Sequence, residues 1–231
     1  MEKHNQNNLT VVKHNHLNQA SYKLSLDERR LILSAIALVN PREKMPDEIT
    51  IHASDYGHQW GVDDTNSYRQ LKEARTNLFD RKIQLRNDGE VTDLRWLYRA
   101  SYKDGEGYIK LAFSPDIKPY LSDLQSHFTS YHLTEVKSFK SSHAIRLYEL
   151  LMQYKKNGWY AESVNNLKAM FGVESSYPAW YEFQRRVIKP AVKEINQETN
   201  YTVKYETKRT GRKISHVLFN YVLNKQADMF K

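Results

Sequence analysis

The sequence predicts an α+β protein built from two tandem winged-helix domains related by internal duplication. A helix, a short helix, a polar turn, a longer helix and a two-stranded hairpin follow one another in this order twice along the 231 residues. The short helix ends in the same way in both copies, at Trp60-Gly61-Val62 and at Phe171-Gly172-Val173. This order is that of the winged helix, an elaborated helix-turn-helix, and its recurrence favours a duplication over chance.

The two copies set the expected domain boundaries. We expect residues 1–20 to form a flexible polar leader, residues 21–124 the first winged-helix domain and residues 125–231 the second. The join near residues 125–137 contains no proline or glycine and includes the strand-like segment FTSYHL. The link between the domains is therefore expected to be short and structured.

The first domain is expected to begin with a helix at Ser25, because a serine followed three residues later by a glutamate, here Glu28, is a capping-box signature. The helix reads LDERRLILSAIALVN and stops at Pro41. Its section Leu31–Val39 is apolar almost all round, which predicts burial either in a core or in a subunit interface.

A strand, two helices and two hairpins complete the first domain. Asp-Gly steps between alternating apolar and polar residues are hairpin signals. The expected elements are a strand at Ile49–Ala53, a short helix around Asp55–Trp60, a longer helix capped by Thr65 or Asn66, hairpin turns at residues 87–89 and 104–105, and a closing helix opened by Pro115.

The second domain repeats this order. A helix capped by Ser141 or Ser142 stops at Gly158, and the extended piece WYAE leads into the helix SVNNLKAMF. A longer helix at Tyr177–Asn196 precedes the strands YTVKYETK and KISHVLFNYV. Pro190 removes one hydrogen bond from that helix, so we expect a bend or a break near Lys189.

The composition excludes several classes of protein. The chain has no cysteine, which excludes disulfides, thiolate metal sites and a cysteine nucleophile. No stretch approaches the roughly 18–20 apolar residues of a membrane span, and MEKHNQNN at the amino terminus is not a signal peptide. With a mean hydropathy of −0.76, we expect a cytoplasmic protein that does not bind membranes.

The positive charge is concentrated in the second half of the chain. Residues 1–124 hold 18 basic and 18 acidic side chains, whereas residues 125–231 hold 17 basic and 9 acidic ones. Residues 185–213 alone hold nine basic residues against three glutamates. Such a field attracts a polyanion, and DNA, RNA and an anionic membrane are the candidates beside a merely solvated face.

No catalytic constellation is found. A Walker-type phosphate loop, an HExxH motif and other metal-ligand spacings are absent from the sequence. The best enzyme candidate is His14-Asn15-His16, with His4 upstream and Tyr22 as a nucleophile, in the manner of metal-dependent nicking initiators. Asn15 interrupts the expected His-hydrophobic-His pattern, so we interpret the segment as a solvated tail and expect no catalytic residue, metal or cofactor.

The long helix and the hairpin of the second domain carry the candidate DNA contacts. A buried stripe of Trp180, Phe183, Val187, Ala191 and Ile195 would leave a row of cations facing outward. A helix of this kind fits the major groove, where arginine pairs with guanine, and cations at a hairpin tip suit phosphates. The predicted contacts are Arg185, Arg186, Lys189 and Lys193 on the helix, and Lys208, Arg209, Arg212 and Lys213 at the tip.

The corresponding helix of the first domain carries both basic and acidic side chains on its outward face. Arg69, Lys72 and Arg75 stand beside Glu73 and Asp80. This balance favours a weaker, auxiliary contact with DNA phosphates, or none.

Several segments resemble the initiator Rep (RepB-type) proteins of bacterial iteron plasmids. They are LDERRLILSAIALVN, SYRQLKEARTNLFDRKI, SSHAIRLYELLMQYKKNGWY, FQRRVIKPAVKEIN and GRKISHVLFNYV, which follow one another in the family's order from about Leu17 to Val222. The resemblance implies two winged-helix domains, with Tyr177–Asn196 as the base-reading helix and with Arg185, Arg186 and Lys189 as its contacts.

The same resemblance implies a function and partners. Monomers of the family bind directly repeated iterons in double-stranded origin DNA and recruit the host initiator and the replicative helicase. Dimers, formed mainly through the first domain, bind an operator and repress their own gene. A winged-helix transcriptional repressor without an initiator role and a metal-dependent nicking initiator remain the alternatives.

Overall fold

The computed structural model describes residues 9–87 and 89–224. These residues belong to two compact units, with the division between Ser138 and Phe139. The expected boundary at residues 124–125 was therefore too early by 14 residues. The segment FTSYHL, assigned to the second domain, lies within the first unit because it pairs with a strand at the beginning of the chain.

The first unit has three small antiparallel sheets and four α-helices among its described residues. The sheets pair β1 with β7, β3 with β4, and β2, β6 and β5 in that order. The elements are β1 (Thr10–His14), α1 (Asn15–Gln19), α2 (Leu26–Ala37), β2 (Ile49–His52), α3 (Ala53–Trp60), α4 (Asp64–Phe79), β3 (Lys82–Asn87), β4 (Glu90–Arg95), β5 (Leu97–Tyr102), β6 (Tyr108–Phe113) and β7 (Phe128–His132).

The prediction of a flexible leader at residues 1–20 is wrong for residues 9–20. Strand β1 is antiparallel to β7, with Val11 opposite Tyr131. Val11 and Leu17 are fully buried. The short Thr-Val-Val run is apolar enough to complete the core once its distant partner strand is present, so residues 9–20 are part of the first unit. Residues 1–8 lie outside the described residues.

Helix α2 has the predicted capping box, and its apolar segment is buried within the unit's own core. Ser25 and Glu28 form the predicted capping box, in which each side chain accepts a hydrogen bond from the other residue's backbone N–H. The helix ends at Ala37, earlier than Pro41. Leu31, Ile32 and Ile36 are buried within the first unit itself. The apolar segment is thus a core helix of this unit.

Three local predictions in the first unit differ from the structure. Asp63 caps α4 in place of Thr65 or Asn66, since its carboxylate accepts the backbone N–H of Asn66 at 3.0 Å. Between the two predicted hairpin turns, the segment DLRWLYRASY would be one strand shared by both hairpins, but it is divided at the buried Trp96 into two strands of different sheets. After Pro115 there is only the 3-10 turn Lys118–Tyr120. Of the predicted turn at residues 87–89, Asp88 lies outside the described residues.

Gly57 of α3 lies close to Ser67 of α4 and to the turn that joins the two helices. A Cβ built at this position would lie against the Ser67 hydroxyl and within 2.7 Å of the Val62 carbonyl oxygen. Glycine in a helix is normally replaced by alanine with a gain in stability, but here the backbone carbonyl cannot move away freely.

We therefore expect Gly57→Ala to destabilise the first unit by about 1–3 kcal/mol, the usual cost of overpacking. Urea unfolding followed by far-UV circular dichroism measures this change. The exposed His58→Ala in the same helix is the matched control. A Gly57→Ala protein as stable as this control would contradict the close approach.

In its described residues, 139–224, the second unit is a helical layer against one three-stranded antiparallel sheet. Strand order in the sheet is β8, β10, β9. The core includes the buried Phe183, Val187 and Ile195 of the helices and the buried Val217 and Phe219 of the sheet. The elements are α5 (Ser142–Gln153), β8 (Trp159–Ser163), α6 (Val164–Met170), α7 (Trp180–Phe183), a π-helical turn (Gln184–Ile188), α8 (Lys189–Glu198), β9 (Tyr201–Thr210) and β10 (Lys213–Leu223).

Residues 180–198 form one continuous helix with a π turn in its middle. The backbone N–H of Lys189 donates to the carbonyl of Gln184, five residues earlier. Pro190 follows at once and has no N–H to donate, so a wider turn just before it avoids the clash that proline makes with an α-helical carbonyl. The irregularity expected near Lys189 is present, as a π turn within an unbroken helix.

Candidate nucleic-acid interface

Two buried cations fix the turn that precedes the helix of residues 180–198. The Arg146 guanidinium is fully buried and donates to the Met170 carbonyl at 3.1 Å, at the end of α6. The Lys168 ammonium donates to the Pro178 carbonyl at 2.7 Å. Burial lowers the pKa of Lys168. The turn between α6 and the long helix is thus held at both ends by side chains of the preceding helices.

The long helix is joined to the hairpin by side-chain hydrogen bonds. The Gln184 amide donates to the Tyr205 hydroxyl at 3.0 Å. Asn196 makes two bonds to Val203, because its amide donates to the Val203 carbonyl at 3.0 Å and its oxygen accepts the Val203 N–H at 2.6 Å. These contacts hold helix and hairpin in one geometry and leave their outward faces available.

The outward faces are strongly basic. All eight cations predicted in this unit have exposed side chains. Within residues 9–87 and 89–224, none of them makes an ion pair with a carboxylate. We call this set the basic surface; its members are Arg185, Arg186, Lys189 and Lys193 on the helix, and Lys208, Arg209, Arg212 and Lys213 around the hairpin turn.

The three cations predicted on α4 of the first unit are engaged within that unit. Arg69 forms an exposed ion pair with Glu73 at 3.2 Å. Lys72 pairs with Asp104 at 2.8 Å, and this hydrogen bond raises the pKa of Lys72. The Arg75 guanidinium donates to the Ala100 carbonyl at 3.3 Å. A phosphate would have to compete with these contacts, which agrees with a weak or auxiliary role.

The two histidines of the enzyme hypothesis come together, and its tyrosine is buried against a tryptophan. The rings of His14 and His16 are 4.8 Å apart, and burial together with His16 and His127 lowers the pKa of His14. Tyr22 is buried against Trp96, at 5.2 Å between ring centroids. His4 lies outside the described residues.

The described part of the chain shows neither a metal-binding cluster nor a membrane-spanning helix. Among the described residues, no cluster of three or more histidine or acidic side chains has the geometry to hold a metal ion. In that part of the chain, no helix has the length and apolar character needed to cross a membrane.

One residue of the basic surface region was not predicted as functional. The Tyr181 side chain is 66% exposed in the first turn of the long helix. Its ring lies 5.7 Å from the guanidinium carbon of Arg185. The spacing of four residues between an aromatic and an arginine on a helix was the available sequence signal.

The chain matches two family models along most of its length. The model described as "Initiator Replication protein, WH1" covers residues 10–152. The model described as "Initiator Rep protein, WH2" covers residues 163–221. The chain belongs to the initiator Rep protein family. The predicted architecture of two winged-helix domains and the resemblance to initiator Rep proteins are both confirmed.

Individual relatives agree with this assignment. This Rep protein is 29% identical to a "Replication initiation protein" of Escherichia coli, over 96% of its own length and 72% of the relative. It is 28% identical to the "PI protein" of Escherichia coli, over 95% and 85% of the two chains. A solved structure, "Crystal structure of Pi initiator protein in complex with iteron DNA", matches with a TM-score of 0.81 and 28% identity, over 95% of this chain and 99% of that one.

Proposed function

We propose that this Rep protein is a plasmid replication initiator that binds directly repeated iterons in double-stranded DNA. The observation that carries the proposal is the basic surface, eight exposed cations without carboxylate partners among the described residues, on the helix and hairpin of the second winged helix. A polyanion is the natural partner of such a surface. The similarity to Pi initiator protein, which was solved with iteron DNA, supports the choice of partner.

The two parts of the basic surface have different roles in this proposal. The long helix enters the major groove, where Arg185, Arg186 and Lys189 reach base edges and Lys193 reaches a phosphate. The cations of the hairpin contact the phosphate backbone, because flexible side chains at a tip suit contacts without sequence information. The protein acts by binding and uses no catalytic residue, metal or cofactor.

The first winged helix has a supporting role in the proposal. Arg69, Lys72 and Arg75 give an auxiliary phosphate contact, weakened by their internal partners. The first unit also mediates a dimer in equilibrium with the monomer, and the dimer represses the protein's own gene. At the origin, in the cytoplasm, the bound monomer helps to open the duplex and to recruit the host initiator and the replicative helicase.

A footprint of the protein on its cognate plasmid origin tests this function. We expect evenly spaced protection over direct repeats, one or two helical turns apart, because each monomer occupies one repeat on the same face of the duplex. Protection of a single inverted repeat alone would indicate a plain transcriptional repressor. Cleavage of supercoiled plasmid with Mg²⁺ or Mn²⁺ in a parallel reaction would indicate a nicking enzyme.

A further inference from the structure

Tyr181 is exposed at a position where the fold does not need an aromatic ring. Its neighbours in the first turn of the long helix point to the core, since Phe183 is fully buried and the Trp180 ring packs edge-on against it at 6.1 Å. Tyr181 itself contributes little to this packing, with 66% of its side chain exposed. A single exposed aromatic is common on protein surfaces, but this one has a charged partner.

That partner is Arg185, one helical turn further along. The guanidinium carbon lies 5.7 Å from the centroid of the Tyr181 ring, within the range of a cation–π contact. The contact limits the rotamers of an arginine that is otherwise exposed. Less conformational entropy is then lost when the guanidinium pairs with a base, so Arg185 is prepared for binding.

The π turn extends this pair into a row along the helix. In an α-helix, a side chain four residues further along is rotated by about 40° around the helix axis. Three such steps add up to a rotation of about 120°. The π turn at Gln184–Ile188 adds one residue to a turn, which reduces this rotation by about 100°. Tyr181, Arg185, Lys189 and Lys193 are therefore nearly in line, with Tyr181 at the amino-terminal end.

We propose that Tyr181 is a specificity-determining residue that contacts the 5-methyl group of a thymine next to the guanine read by Arg185. The inference rests on the proposed function, since it places the long helix in the major groove. There, guanine offers two acceptors to a guanidinium, and the thymine methyl is the apolar feature that an aromatic or aliphatic side chain reads. A ring stacked beside the arginine places an apolar edge against the neighbouring base pair, so the two side chains read two adjacent positions.

The test compares thymine with uracil, which lacks only the methyl group. The probe is the duplex that the wild-type protein selects from a randomised pool, with each thymine replaced in turn by uracil. At one position next to a guanine, we expect wild-type affinity to fall about fourfold, the effect of removing one buried methyl-sized group. Tyr181→Ala is expected to lose affinity for the thymine duplex and to bind both duplexes equally at that position.

Tyr181→Phe is the matched control, because phenylalanine keeps the ring and loses only the hydroxyl. It is expected to retain the wild-type ratio of affinities for the thymine and uracil duplexes. If uracil is tolerated by the wild-type protein at every position, or if Tyr181→Ala keeps the wild-type ratio, the proposal is overturned while the initiator function stands. If the selection returns no preferred sequence at all, the proposed function itself fails.

Discussion

Replacing Arg185 by alanine is expected to cost about 1–3 kcal/mol of binding free energy on the cognate iteron and little on random duplex DNA. The reason is that a guanidinium held against Tyr181 reads guanine O6 and N7, and random DNA offers no fixed guanine at that place. A competition titration against iteron and scrambled duplexes measures the difference. Arg186→Ala and Lys189→Ala belong in the same series, since both side chains are exposed on the same helix.

The hairpin provides the control for this prediction. Lys208→Ala or Arg209→Ala is expected to weaken binding to both duplexes together and to lower the slope of log K against log[salt] by about one unit each. For a wild-type protein with six phosphate contacts, that slope is about −5. The opposite result would be helix variants that lose affinity for both duplexes equally and hairpin variants that lose the preference for the iteron. It would show that the hairpin contacts the bases and the helix contacts the phosphates.

The second large effect is expected in the stability of the first unit. Glu28 is fully buried, and both of its carboxylate oxygens accept hydrogen bonds from the Arg81 guanidinium, at 2.8–3.1 Å. Arg81→Ala leaves that carboxylate buried without its counter-charge. We expect a loss of about 3 kcal/mol, the low end for breaking a buried ion pair, because Arg81 itself is 42% exposed and water can enter its place.

Hydrogen exchange is the suitable measurement, since it reports the two units separately. Arg69→Ala is the matched control, because its ion pair with Glu73 is exposed on both sides and such pairs contribute about 0–1 kcal/mol. We expect faster exchange of the slowest amides of the first unit in Arg81→Ala only. Similar exchange in the two variants would contradict the importance of the buried pair.

The sequence predicts structure correctly where the interacting residues are close together along the chain. The capping box of Ser25 and Glu28 needs only three residues of separation, and it is present. Gly61 and Gly172, predicted to end corresponding short helices, both have a left-handed backbone, with φ of 66° and 63°. Such a conformation strongly favours glycine, which is why both positions could be recognised.

Interactions between distant segments could not be read in this way. The buried strand β1 depends on residues 128–132, and a five-residue segment with only two apolar residues gives no sign of such a partner. Likewise, Lys72 and Arg75 contact residues on the hairpin of residues 97–113. The sequence of α4 alone cannot predict these contacts.

Pro190 predicts that the helix changes near Lys189 but not which form the change takes. Proline indicates that the helical hydrogen-bond pattern must change nearby, but several adjustments meet that need. The helix adopts a π turn, which alters the alignment of every residue after it. An α-helical projection spreads Tyr181, Arg185, Lys189 and Lys193 over about 120° of the helix surface, whereas the π turn brings them nearly into line.

The pairing of β1 with β7 also determines when the first unit can finish folding during synthesis. His14 and Phe128 are partners in this sheet, yet a ribosome that adds about 5–20 residues per second needs roughly 6–23 s to pass from one to the other. During that interval Val11 and Val12 have no strand to pair with. The first unit therefore completes its core only after residue 132 has been synthesised, and a chain that stops after β1 but before residue 128 leaves β1 without its partner strand.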